Sequence, residues 1–245
     1  LANNPPDRNT LPAVQKIRIR YTKLGRLKFS SHRDFQRALE RAIRRANIPI
    51  AYSAGFSPHP KISYANAAPT GCASEAEYIE IGLVREVDPL MVKEELNKAL
   101  PEGLQIADAV AAKTSSLVER LEASLWEIQI SQITPEVLQK AVSSLWESEA
   151  VEVERVTKQG LRKFDARGSI LGIRARDLPD DPECAILEVV VRAGSPTVRP
   201  DDVLSALKSA GGLALTVPPL VTRRAQGNIT ENVFQLLDPF APDRE

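Results

Sequence analysis

The sequence predicts an α+β fold made of two tandem ferredoxin-like βαββαβ-type units. Three observations predict it. Residues 14–110 carry period-two and period-3.6 apolar patterns in the order strand, helix, strands, helix, strand. Residues 123–224 repeat that order. One punctuated helix also occurs twice, as Pro89-x-x-Val92-x-x-x-Leu96-x-x-Ala99 and Pro200-x-x-Val203-x-x-x-Leu207-x-x-Ala210. Each copy is followed by Gly-Leu, at Gly103-Leu104 and Gly212-Leu213, which marks an internal repeat.

The elements follow in order. Residues 1–13, rich in Pro, Asn and Asp, are expected to form a flexible arm. Residues 14–23 alternate, with Ile17, Ile19 and Tyr21 on one side and Lys16, Arg18 and Arg20 on the other: a half-buried strand whose second face is positive. Ser31 with Asp34 resembles a capping box and starts a helix. Phe35, Leu39, Ala42 and Ile43 form its apolar face, and Asn47 and Pro49 end it. Strands are expected at 48–52, 61–67 and 75–84, with Glu75 and Glu77 on an exposed face. A helix opens at Asp88-Pro89, and a strand at 104–110 closes the first unit (14–110). Residues 111–122 read as a linker. The second unit (123–224) has strands at 125–130, 151–156, 164–173, 185–191 and 213–217. Its helices open at Thr134-Pro135, with Pro at the first helical position, and at Arg199-Pro200. Residues 225–245 read as a polar, mobile tail.

Composition narrows the function classes. Of 245 residues, 43% are hydrophobic and 26% charged, which excludes a disordered chain. Nothing approaches eighteen consecutive apolar residues, so no membrane helix is expected. The opening residues lack the basic start and apolar stretch of a signal peptide, so a cytoplasmic protein is expected. The two cysteines, Cys72 and Cys184, form no Cys-x-x-Cys, and His32 and His59 are the only histidines. No metal and no cofactor are expected, and Cys72 reads as a small packed residue.

The net charge of zero hides an asymmetry. Between Lys16 and Lys61 only Asp34 and Glu40 oppose a run of Lys and Arg, an excess of about +10. Residues 75–108 lean acidic. Such a one-sided excess points to an anionic partner, and RNA is the expected one.

Three segments could carry chemistry. Lys28, Ser30, Ser31, His32 and Arg33 surround a helix start, where free N–H groups and the dipole favour a phosphate. Arg37 and Arg41 continue the cationic face. Tyr52 and Phe56 could stack bases, and Pro58 and Pro60 fix the direction of His59 beside Lys61 after a turn at Gly55. In the second half, Lys158-Gln159-Gly160 opens a basic turn with Arg162, Lys163 and Arg167. Arg223 and Arg224 add charge after the last strand. The candidate catalytic residues are His32, His59 and Lys61.

Phe29-Ser30-Ser31-His32-Arg33-Asp34, Gly55-Phe56-Ser57-Pro58-His59-Pro60 and Ser74-Glu75-Ala76-Glu77-Tyr78 resemble the radical SAM-linked protein family. The resemblance spans about residues 14–224 and includes 163–170. It implies association with a radical SAM enzyme, and it assigns no catalytic residue. The chain has no Cys-x-x-x-Cys-x-x-Cys, so it would be the linked module and not the cluster-bearing enzyme.

The leading expectation is an RNA-binding accessory protein acting in tRNA or rRNA modification or processing, beside a radical SAM or RNA-processing enzyme. A second is a metal-independent endoribonuclease using His32 and His59 as acid and base, with Lys61 on the phosphate. A third is a protein-interaction subunit without nucleic-acid binding.

Overall fold

In the computed structural model, which describes residues 11–54, 56–157 and 160–245, the alternation that opens the chain becomes strand β1 (Gln15–Lys23). Ile17, Ile19 and Tyr21 are buried on one of its faces. The chain forms two compact units. One holds the residues up to Val118 together with Phe240–Glu245; the other is Glu119–Pro239. Both mix helices with antiparallel sheet, so the fold is α+β.

In unit 1, β1 is followed by α1 (His32–Arg45), β2 (Ile62–Ala65), β3 (Ala73–Leu83), α2 (Pro89–Ala99) and β4 (Leu104–Ala111). The strands lie in the order β4-β1-β3-β2, every neighbour antiparallel. Each helix therefore links strands separated by one inserted strand, a split βαβ connection. Helix α1 buries Phe35, Leu39, Ala42 and Ile43, and α2 buries Val92 and Leu96. They pack on Ile17, Ile19, Ile79, Ile81 and Ile106 of the sheet. Tyr21 stacks on Phe35 with ring centroids 4.3 Å apart.

Unit 2 contains β5 (Ala123–Ser131), α3 (Pro135–Glu147), β6 (Glu152–Thr157), β7 (Gly160–Asp165), β8 (Ile170–Asp177), β9 (Cys184–Arg192), α4 (Pro200–Gly211) and β10 (Leu220–Gly227). Its strands lie in the order β10-β5-β9-β8, and β6 and β7 form a separate hairpin inserted between α3 and β8. Val203 and Leu207 of α4 are buried like Val92 and Leu96 of α2. Gly103 and Gly212, which end the two repeated segments, both have left-handed backbone, at φ 88° and 67°. The chain then rejoins unit 1 through α5 (Ala241–Arg244).

Several expectations need correction. Residues 48–52 make only isolated bridges, Ile50 to Leu83 and Tyr52 to Pro60, because Pro49 has no N–H for a ladder. The strand expected at 164–173 is two strands, broken by a 3-10 turn at Arg167–Ser169 that Asp165 caps. The last strand is not 213–217; it begins after Pro218-Pro219. The units divide between Val118 and Glu119, inside the interval 111–122 expected as the linker, in which Leu117 and Leu121 are buried. The tail is folded: β10 reaches Gly227, Asn228 bridges Leu237, and Phe240 is fully buried. On the positive face of β1, Lys16 is exposed but Arg18 is covered, only 2% exposed. Most of the expected arm (1–10), the turn at Gly55, and Lys158 and Gln159 lie outside the described residues.

Candidate functional site

The charge excess survives on the solvent face of α1. Arg33, Arg37, Arg41 and Arg44 are exposed there. The step from Arg33 to Arg37 to Arg41 is four residues, about 6 Å of helix rise. Arg45 instead donates to the Ala99 carbonyl at 2.7 Å. Lys28 lies near the helix start, its Nζ 5.1 Å from the centroid of the Phe29 ring.

The helix start itself is filled from within. The Ser31 hydroxyl donates to Asp34 Oδ2 at 2.7 Å, and the Asp34 N–H donates back to Ser31 Oγ at 3.2 Å. The Ser31 hydrogen bonds, with Arg37 and Arg33 nearby, hold the Asp34 carboxyl below its ordinary value. The place expected for a phosphate at Ser31 is taken by a carboxylate of the chain, which accepts the Ser31 N–H at 3.3 Å beside its hydroxyl. Ser30 is half-buried, and its N–H closes the preceding turn on the Leu27 carbonyl.

His32 stands edge-on to Tyr64, ring centroids 4.8 Å apart. Burial, with a smaller contribution from Glu40, pushes the Tyr64 phenol well above its ordinary range. Beside His32 is a narrow cleft walled by Tyr21, Lys23, Ser30, Phe35 and Glu77. Its volume, about 20 Å³, admits a water and no substrate. Lys23 and Glu77 are buried, and Glu77 accepts the Ala68 N–H at 3.0 Å. The sequence reading placed Glu77 on an exposed face. It has the parity of Ile79 and Ile81, so period two alone was the signal that it points inward.

Residues 51–54 and 56–61 are anchored near the C-terminal end of β3. Ala51 N–H donates to Gly82 O at 2.7 Å, Lys61 N–H to Ala51 O at 2.8 Å, and Gly82 N–H to Lys61 O at 2.9 Å. Ser53 and His59 close the neck: Ser53 N–H donates to His59 O at 2.9 Å, and His59 N–H to Ser53 Oγ at 3.0 Å. Phe56 (58% exposed), His59 and Lys61 face solvent. Tyr52 packs against the core and is no stacking platform. Lys61 leads into β2 and lies three residues before Tyr64, the ring that meets His32, about 10 Å of strand. The small cleft beside His32 is lined by neither His59 nor Lys61.

In unit 2 the expected basic cluster is largely neutralised. Lys163 bridges Glu154 at 2.6 Å and Glu152 at 3.5 Å, and the Glu154 hydrogen bond raises its pKa. The Arg167 guanidinium lies 4.1 Å from the centroid of the Trp146 ring and donates to the Trp146 and Ile170 carbonyls. Arg162 remains exposed, across the hairpin from Arg155, which is held by Asp202. Arg223 is buried over Trp126, and Arg224 pairs with Glu127. Cys72 and Cys184 are buried free thiols. Among the described residues no group of three or more His, Cys, Asp or Glu is placed to hold a metal, and no helix is long and apolar enough to cross a membrane.

The sequence profile of a family described as "uncharacterized protein conserved in bacteria (DUF2344)" matches residues 16–200. No curated protein matches the chain. Among solved structures, a crystal structure of a Cbf5-Nop10-Gar1 complex aligns over 94% of the chain at 14% identity, with a TM-score of 0.45; the alignment spans 57% of that structure's chain. A dye-decolorizing protein from V. cholerae aligns over 88% of this chain and 92% of its own at 6% identity, with a TM-score of 0.21. Likeness at these levels carries nothing about activity.

Proposed function

Since the chain belongs to this family of uncharacterized bacterial proteins (DUF2344), which brings no activity with it, we propose from its own geometry that unit 1 binds RNA along α1. One observation carries the reading: Arg33, Arg37, Arg41 and Arg44 stand exposed on one helix that has only Asp34 and Glu40 as acids, and Asp34 is tied into the cap. Guanidinium groups suit phosphates because their planar fork donates two parallel hydrogen bonds. The exposed Phe56 adds a ring for an unstacked base. The reading is an accessory protein for tRNA or rRNA modification or processing in the cytoplasm. The resemblance to radical SAM-linked chains makes an enzyme of that class the protein partner.

The test is a fluorescence anisotropy titration with structured RNA at about 50 mM and about 200 mM salt. Binding should be saturable at low salt, weaken at high salt, and fall most in a chain carrying Arg37→Glu and Arg41→Glu. No binding at low salt would overturn the proposal and leave a protein-interaction subunit. No specific observation favours the endoribonuclease reading: the small cleft beside His32 is lined by neither His59 nor Lys61.

A further inference from the structure

The face of unit 1 away from α1 and α2 holds a site that the RNA reading does not use. Its centre is Arg18, whose five N–H groups are all engaged. Nε donates to Glu80 at 3.1 Å. Nη1 donates to Thr114 Oγ1 at 3.0 Å and to Asp243 Oδ2 at 2.6 Å. Nη2 donates to the carbonyl oxygens of Thr114, at 2.9 Å, and Ser115. Asp243 comes from α5, which the chain reaches only after passing through Glu119–Pro239. Its other oxygen accepts the N–H of Lys113 at 3.0 Å, the N–H of Thr114 at 3.1 Å, and the Thr114 hydroxyl at 2.6 Å. Three residues before it, Phe240 is fully buried, edge-on to Tyr78 with centroids 5.4 Å apart. One residue after it, Arg244 pairs with Asp108.

Six residues thus dock through an aromatic ring in a pocket, a carboxylate ringed by four donors, and a cation on a rim acid. A few strong anchors on a short segment are the mark of peptide recognition. We propose that this face is a peptide receptor for an aromatic residue followed three positions later by an aspartate. Phe240-Ala241-Pro242-Asp243 fills it in this chain, and a partner protein's segment of the same chemistry takes its place when Phe240–Glu245 is withdrawn.

Two further features lie beside the docked segment. Beside the Asp243 seat is a cleft of about 400 Å³ whose walls include Ser63, Tyr64, Ser115 and Ser116, together with Glu80 and the Lys16 and Arg18 that pair with it. Two residues along the same face of β1, Arg20 Nε is buried with no acceptor among the described residues.

The tethered segment acts at an effective concentration near the millimolar range, so the test removes it. A chain ending at Pro239 is titrated with a labelled peptide of residues 238–245. Saturable binding is expected, with Asp243→Asn and Phe240→Ala peptides roughly ten-fold weaker or worse. The full chain, its receptor filled, should bind the peptide much more weakly. A shortened chain that keeps its circular dichroism yet takes no peptide would overturn the proposal, as would an Asn peptide that binds equally. If the shortened chain does not fold, hydrogen exchange of the full-length Asp243→Asn variant decides. Faster exchange confined to residues 112–118 and 240–245 supports a separable ligand. Lost protection across β1, β3 and β4 makes the segment core and sinks the idea.

Discussion

Arg18 and Arg37 are one residue type with opposite fates. Arg37 stands in solvent on α1, whereas Arg18 is buried with every donor engaged. Removing one member of a buried ion cluster strands the others. Arg18→Met should therefore cost roughly 3–5 kcal/mol in urea unfolding, and adding Asp243→Asn should recover part of the loss. The same cluster sets an acid limit. Burial raises the Glu80 pKa, but hydrogen bonds and charge from Lys16 and Arg18 outweigh it and leave the carboxyl below its ordinary 4.5. A depressed folded-state pKa gives stability that is complete above the unfolded value and lost as pH falls through the folded one. Thermal unfolding followed against pH should show this contribution intact above about pH 5 and declining below about pH 4.5; Glu80→Gln should flatten that part of the profile. The candidate site was half legible for the same reason. Exposed arginines at helical spacing can be read from the sequence. That Asp243, 225 positions from Arg18, cancels a charge on β1 cannot, because nothing local announces the pairing.

At the scale of elements, helices were legible and some strands were not. Helix α1 follows from its 3.6-residue apolar period and its Ser31 cap, both local features. Ser31→Ala should lower stability by about 1 kcal/mol without changing the exposed arginines, which makes it the control for folding effects on RNA affinity. Strand β10 hides from the period-two pattern because a bulge between Arg223 and Ala225 breaks its alternation and because the buried positions include Arg223 and Gln226. Arg223 is accommodated by the face of Trp126, a partner the sequence cannot name. The packing of α3 on α4 turns on Gly211, where an added Cβ would lie 2.5 Å from Ala141 Cα and 2.9 Å from its carbonyl oxygen. Both obstacles are backbone and cannot rotate away. Gly211→Ala should destabilise by about 1–3 kcal/mol, measured by denaturant midpoint.

For the whole molecule, net charge and binding charge are different quantities. The chain carries 32 basic and 32 acidic residues, so a partner that sensed only the total would feel no attraction. The fold separates these charges. Lys163, Arg167, Arg223 and Arg224 are held by chain groups in unit 2, and Arg18 by acids in unit 1, whereas Arg33, Arg37, Arg41 and Arg44 of α1 are exposed. Counting charge along the sequence found the excess; only the fold shows which part of it faces water. Salt dependence measures the difference. If Arg33, Arg37, Arg41 and Arg44 each displace one counterion from RNA, the logarithm of affinity should fall with the logarithm of salt at a slope of about −3. Removing two of them, in Arg37→Ala with Arg41→Ala, should bring the slope to about −1.5, while Lys163→Ala should leave it unchanged. A slope near zero would mean that binding, if found, is not electrostatic. A slope that drops equally for Lys163→Ala and the α1 variant would mean that charge is sensed over the whole surface and that the helix has no special part in it.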